Sequence, residues 1–334
     1  MGLNQIPDDL KVCSLLPSGT EILFALGLGG HVTGVSDLCD YPLEARDKRV
    51  VSRSKVDAAV LSSEQVEKEM RRLLESGEEL YELDQDWLNA NPVDVVLTQD
   101  LCYFCEMDAS QVLGAVSDMV NEPRVEVLQP RTLMEILASI RQVGNACGAD
   151  EAAAILVQQL EARIAGVVRV VANAKARPKV FSVEGVNPLV IGGHWIPDIL
   201  AIAGGRMTAY SPGCSARRIA WEEILEYAPD KLFIDLCSSD LNRNLREVPW
   251  MAAQKDWDEL PAVRTGEVYL IDHVFFSRPG PRVVTGLEIL AQLIHPKLFK
   301  GLVPPNTVLK LDSDLAAGGS LDEIGQSFRP YPVP

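Results

Sequence analysis

Cys102-Tyr-Phe-Cys105 places two thiols at a spacing at which both can reach one metal ion. The pair follows the apolar run Val93–Thr98, the end of a predicted strand. A third thiol, Cys39, follows another predicted strand, Val32–Ser36, and a parallel sheet sets the loops after its strands side by side. With His194 as a fourth ligand, this soft set suits zinc or an iron–sulfur cluster, and hence a metal-dependent enzyme. Two other readings stay open: a redox pair, although Tyr-Phe replaces the usual Gly-Pro between its cysteines, or buried thiols without chemistry. Cys13, Cys147, Cys214 and Cys237 read as core or surface residues.

Three other constellations could bind rather than react. Pro17-Ser18-Gly19-Thr20-Glu21 opens a helix, where free backbone N–H groups and the Ser18 and Thr20 hydroxyls can receive amide or carboxylate groups. Alternatively, Ser18 caps that helix and Glu21 completes a capping box. His194-Trp195 follows Gly192-Gly193 and offers an imidazole beside a broad indole face; it reads equally as the cap and underside of a helix starting at Ile196. The stretch Phe275 to Arg282 holds two phenyl rings, two prolines and two arginines. It is too rigid and aromatic for an ordinary linker, so Phe276 and Arg278 are candidate ligand contacts. The chain has no Gly-x-Ser-x-Gly elbow, His-Glu-x-x-His, Walker A loop or GxGxxG. An enzyme is therefore the weaker expectation.

Alternating strands and helices must position these residues. Lys11–Leu16, Val32–Ser36, Val93–Thr98 and Val125–Leu128 read as strands, with helices after Pro17, over Ser62–Ser76 and over Ala109–Val120. A long helical stretch from Asp150 to about Ala176 follows, stopped by Pro178. A second strand–helix series then begins at Lys179–Val183 and includes Lys231–Asp235 and Glu267–Ile271. The expected class is α/β: two Rossmann-like lobes with mostly parallel sheets, joined by one long backbone helix. The expected divisions are 1–148 for the N-terminal lobe, 149–177 for the helix, 178–300 for the C-terminal lobe and 301–334 for an extended tail. A ligand would sit in the cleft facing the carboxyl ends of both sheets.

Four stretches carry a resemblance: Ser14-Leu-Leu-Pro-Ser-Gly-Thr-Glu-Ile-Leu-Phe-Ala-Leu-Gly27, Gly34-Val-Ser-Asp-Leu-Cys-Asp-Tyr-Pro42, Gly192-Gly-His-Trp-Ile-Pro-Asp198 and Phe276-Ser-Arg-Pro-Gly-Pro-Arg-Val-Val284. In this order the chain resembles the cobalamin and ferric-siderophore branch of the periplasmic-type ABC substrate-binding proteins. Cys102-Tyr-Phe-Cys105 and Leu80-Tyr-Glu-Leu-Asp84 further resemble a non-exported, cobalamin-binding subgroup. The resemblance implies the class III substrate-binding fold and a corrinoid ligand, with ferric siderophore or haem as the alternative. It implies that Tyr41 packs on the chelate face with Trp195 and Phe276, that Ser18, Thr20 and Arg278 meet its polar edge, and that His194 is a candidate axial ligand to cobalt. The implied partner is an ABC permease or a corrinoid-using enzyme.

The 334 residues allow about two domains. A formal net charge of −16 disfavours nucleic acid and anionic membrane surfaces. No run approaches the ~18 apolar residues of a membrane span. The leader before Val12 has neither a basic n-region nor an apolar h-region. The seven cysteines are odd in number and scattered, which fits a reducing compartment. Both features give the expectation of a cytoplasmic protein, a trimmed export signal being the other option.

Overall fold

The apolar run at Val12 ends after three residues because Pro17, with its fixed φ and no N–H, opens a helix immediately. This strand, β1 (Val12–Ser14), and helix, α1 (Pro17–Ala25), begin the structure, a computed structural model that describes residues 6–58, 60–100, 109–117, 122–316 and 321–331. The chain continues through β2 (Val32–Ser36), β3 (Arg49–Ser54), α2 (Ser63–Glu75), β4 (Tyr81–Leu83), α3 (Gln85–Ala90), β5 (Val95–Gln99), α4 (Ala109–Ser117), β6 (Arg124–Leu128) and α5 (Leu133–Ala146). These strands form one six-stranded sheet in the order β4-β3-β2-β1-β5-β6, parallel except where β4 runs against β3. Strand order reverses between β1 and β5, so the start of α1 sits at the switch point where α/β sheets place ligands.

The long helix α6 runs Asp150–Val171, shorter than the expected stretch because the chain breaks into turns ahead of Pro178. The chain divides within this helix into two compact units. Residues 1–57, 69–162 and 279–281 form the first unit; residues 58–68, 163–278 and 282–334 form the second. Two short segments are therefore exchanged in sequence: 58–68 belongs with the second unit and Pro279–Pro281 with the first.

The second unit is built from β7 (Val180–Val186), β8 (Leu189–Ile191), α7 (Ile196–Ile202), β9 (Arg217–Arg218), α8 (Trp221–Tyr227), β10 (Lys231–Ile234), α9 (Leu241–Ala252), α10 (Pro261–Arg264), β11 (Val268–Ile271), α11 (Val283–Ile294), β12 (Val308–Leu311), α12 (Ser313–Ala316) and β13 (Phe328–Pro330). The sheet order is β13-β12-β11-β10-β7-β8-β9. Only the central trio β7, β10 and β11 is parallel; both flanks are antiparallel. Strands β10 and β11 are buried throughout and read as near-continuous apolar sequence, as parallel strands covered on both faces do. Residues 301–334 are not simply an extended tail: β12 and β13 extend this sheet, and the short run Val308, Leu309, Lys310 and Leu311 is hidden in the sequence by the surrounding proline and aspartate.

Within the second unit, Arg163 donates to both carboxylate oxygens of Glu288 (2.9 and 2.6 Å) and to Thr285 Oγ1 (2.9 Å), fastening the second half of α6 to α11. Segment 58–68 is held on α9: Arg243 donates to the Ala58 carbonyl at 2.6 Å, and Glu247 accepts from the Ser63 N–H at 2.7 Å.

Candidate functional site

In the first unit the strand ends carry small polar residues. Ser14, Ser36 and Ser52 close β1, β2 and the core of β3, all buried, and Thr98 and Gln99 close β5. Thr20 Oγ1 lies 2.9 Å from Ser14 Oγ, 3.1 Å from Cys39 Sγ and 3.3 Å from the Leu16 carbonyl. Thr20 thus faces inward and locks α1 to β1 and to the turn after β2, instead of presenting a hydroxyl to a ligand. Ser18 does not cap α1. Pro17 occupies the first helical position, Leu16 is the N-cap without a side-chain bond, and Ser18 falls inside the first turn. Its buried hydroxyl has no hydrogen-bond partner among the described residues, nor has that of Ser52. Gly280 lies over this turn, where a Cβ would stand 3.5 Å from the Ser18 carbonyl oxygen and 3.6 Å from Glu21 Oε2.

Tyr41 is the outward-facing candidate in this unit. It precedes a cis Pro42, is 46% exposed, and stands near Leu43, which is 70% exposed. Leu43 escaped the sequence reading because no pattern singles out one leucine in a polar loop.

In the second unit, β8 returns antiparallel to β7, so the turn after it lies alongside Ser182, whose carbonyl accepts from the Gly192 N–H at 3.1 Å. Gly193 has no room for a side chain: a Cβ would fall 2.2 Å from the Ala216 nitrogen. His194 takes a left-handed φ of 52° and is buried; its N–H donates to the Cys214 carbonyl at 2.6 Å, and its carbonyl accepts from the Gly213 N–H at 2.9 Å. Its ring centroid is 5.8 Å from that of Trp195. Trp195 is only 7% exposed and its single N–H donates to the Phe276 carbonyl at 2.7 Å, while Phe276 itself is 2% exposed. The structure therefore brings Trp195 and Phe276 together as packed core. Neither offers a free face, because both side chains are buried.

Arg278 is buried, and with Arg282 it contributes positive charge at Asp272. Burial nevertheless raises the Asp272 carboxyl above its ordinary value, and the neighbouring Asp240 adds to the rise. Arg282 precedes α11 and lies over the Phe275 ring at 5.8 Å. Two buried residues were missed. Asp235, directly after β10, accepts from Ser182 Oγ at 2.6 Å; its place at a parallel strand end was the available signal. Asn244 donates to the Ile271 carbonyl at 2.9 Å, and its Oδ1 has no partner among the described residues; nothing in the sequence marks it.

Cys102 and Cys105 lie outside the described residues. Among those described, no group of three or more His, Cys, Asp or Glu side chains is placed to hold a metal ion. Cys39 is buried against Thr20, and burial pushes the thiols of Cys13 and Cys147 upward, the latter to about 11. Thiols raised in this way stay protonated at neutral pH.

The periplasmic binding protein family matches residues 120–274 of this chain. An uncharacterized ABC transporter substrate-binding lipoprotein, YvrC of Bacillus subtilis strain 168, is 25% identical over 296 residues, covering 87% of this chain and 81% of its own. A vitamin B12-binding protein of Vibrio parahaemolyticus is 22% identical, covering 83% of this chain and 86% of its own. In structure, the periplasmic heme-binding protein RhuT of Roseiflexus superposes with a TM-score of 0.64 at 19% identity, covering 86% of this chain and 98% of that one. The two-lobed α/β expectation is thereby borne out. Cytoplasmic residence is not: the relatives are described as a lipoprotein and a periplasmic protein, which are exported. The residues before Val12 decide nothing on this point. No helix among the described residues is long and apolar enough to cross a membrane.

Proposed function

We propose that this chain is a binding protein of the periplasmic type that binds a corrinoid of the cobalamin type and presents it to an ABC permease. The observation that supports this reading best is the exposed Tyr41-Pro42-Leu43 knuckle in the first unit. It is an apolar surface suited to one face of a macrocycle, in a stretch that resembles the chelate-binding branch. The vitamin B12-binding relative points the same way. Ser18, with an unused buried hydroxyl at the start of α1, is the polar contact on this side. In the second unit His194 is the candidate axial ligand; Trp195 and Phe276 act by fixing its turn, and Arg278 adds positive charge.

Titration of the purified chain with hydroxocobalamin tests this. A shift of the corrinoid spectrum and calorimetric heat at micromolar concentration are expected; absence of both overturns the reading. If His194 reaches cobalt, His194→Ala abolishes the spectral shift while leaving binding of the dicyano form nearly unchanged.

A second reading is haem or a ferric chelate. It is favoured by the same residues, since an exposed phenol at Tyr41 and an imidazole at His194 are both known types of axial ligand to haem iron. Binding of haemin without binding of hydroxocobalamin selects it. The metal-dependent enzyme gains no support from the described residues, because Cys39 is engaged in the core of the first unit.

A further inference from the structure

Beneath the turn that carries His194 and Trp195 lies a narrow void with no room for a water molecule. It is lined by Asp235, Ser182 and the apolar side chains of Ile196, Leu200, Phe276 and Ile271, among others. Asp235 and Ser182 are each only 2% exposed, and the Ser182 hydroxyl donates to Asp235 Oδ1 at 2.6 Å. Ser182 also supports the turn above it. Its carbonyl accepts the Gly192 N–H, and a Cβ on Gly192 would stand 2.8 Å from Ser182 Oγ. Phe276, which lines the same void, accepts the Trp195 indole bond. A charged carboxylate here would meet apolar walls and one hydroxyl with no room for a water, a costly arrangement that is relieved only if the walls move.

We propose that Asp235 is a positioning residue: through Ser182 and the shared void it sets the placement of the 192–195 turn, so that a change of charge on Asp235 moves Trp195 and Phe276. The consequence for ligand rests on the chelate-binding reading above; the movement of the turn does not.

Burial raises the Asp235 carboxyl to about 8, the Ser182 bond opposes the rise, and Cys237 is the titratable neighbour that adds to it. In the unfolded chain an aspartate titrates near ~3.9. Between these values the folded state holds the proton and the unfolded state does not. Stability is therefore complete below about pH 4 and is lost as pH rises towards 8, by up to about tenfold in the folded ratio per pH unit.

Two measurements on the full chain decide the proposal. Indole fluorescence, read as the difference between the chain and its Trp195→Phe variant, should change with a midpoint near pH 8. The change should vanish in Asp235→Asn and move to higher pH in Ser182→Ala, which lacks the opposing bond. Urea unfolding between pH 4 and 8 should lose its downward slope in Asp235→Asn. A fluorescence transition that persists in Asp235→Asn, or none near pH 8 in the parent, overturns the proposal. The ligand arm is hydroxocobalamin affinity, expected to fall about tenfold as pH rises through 8 in the parent and to stay flat in Asp235→Asn. If no corrinoid binds at any pH while the indole signal follows Asp235, the positioning role stands and the corrinoid reading falls. Tight binding that ignores pH, with a silent indole, removes the positioning role alone.

Discussion

At the scale of the residue, burial separates Tyr41, which can meet a ligand with its exposed ring, from Phe276, which is packed inside. Tyr41 and Phe276 are both aromatic and both were candidates for gripping a macrocycle, yet one is half exposed and the other is enclosed. Replacing them should have opposite signatures. Tyr41→Ala removes an exposed ring, so corrinoid affinity should drop about tenfold, the effect of roughly 1.4 kcal/mol, with the melting temperature nearly unchanged. Phe276→Ala empties a packed position and should cost about 3–5 kcal/mol of stability in urea unfolding. Equal loss of affinity without loss of stability in Phe276→Ala would restore it as a contact residue. Thr20 teaches the same lesson: its type and its place at a helix start suit a ligand, but Ser14 and Cys39 claim its hydroxyl.

At the scale of the element, close backbone approach decides which helices can pack where. Gly144 on α5 faces the start of α6, where a Cβ would stand 2.5 Å from the Ala153 methyl. Gly204, just after α7, combines a φ of +91° with a Cβ position 2.4 Å from His295 Nε2. A side chain is excluded there on both grounds. Gly204→Ala should therefore destabilise the fold by more than about 1 kcal/mol, whereas Ala at Gly166, with open space around it, should be neutral or stabilising. Comparing the two variants by thermal unfolding checks this, and equal melting temperatures would refute it. Pro249 shows why proline punctuation is an imperfect guide: it lies inside α9, within a span that strand and helix periodicity had left unassigned.

At the scale of the whole molecule, the C-terminal residues are structural. Glu267 gathers Lys231, Lys310 at 2.6 Å and the Tyr269 hydroxyl at 2.7 Å, and Tyr269 packs edge-on against Tyr331. Burial alone would raise the Glu267 carboxyl, but the hydrogen bonds from Lys231 and Lys310 outweigh it and hold it ionised. Glu267→Ala leaves buried Lys231 without its carboxylate and should cost about 2–3 kcal/mol, measurable by urea unfolding. Ending the chain before β12 would uncover the edge of β11 and is expected to promote association, seen by light scattering.

What the sequence determined by itself was the alternation of strands and helices, the two-part α/β plan and the long helix α6. Each is written in local periodicity and in the placement of Pro17 and Pro178, and local rules need no tertiary context. The stretches around Ser18, Tyr41, His194 and Phe276 were legible too, as uncommon residue combinations at element ends. Their direction was not. Whether Thr20 points inward, whether the Trp195 N–H is free, and that Asp235 sits under the Gly192 turn depend on partners that the fold brings in from elsewhere in the chain. The reversal of β8 against β7, for example, brings Gly192 beside Ser182. Only the tertiary structure decides these, because a buried polar atom takes whichever partner the packing delivers.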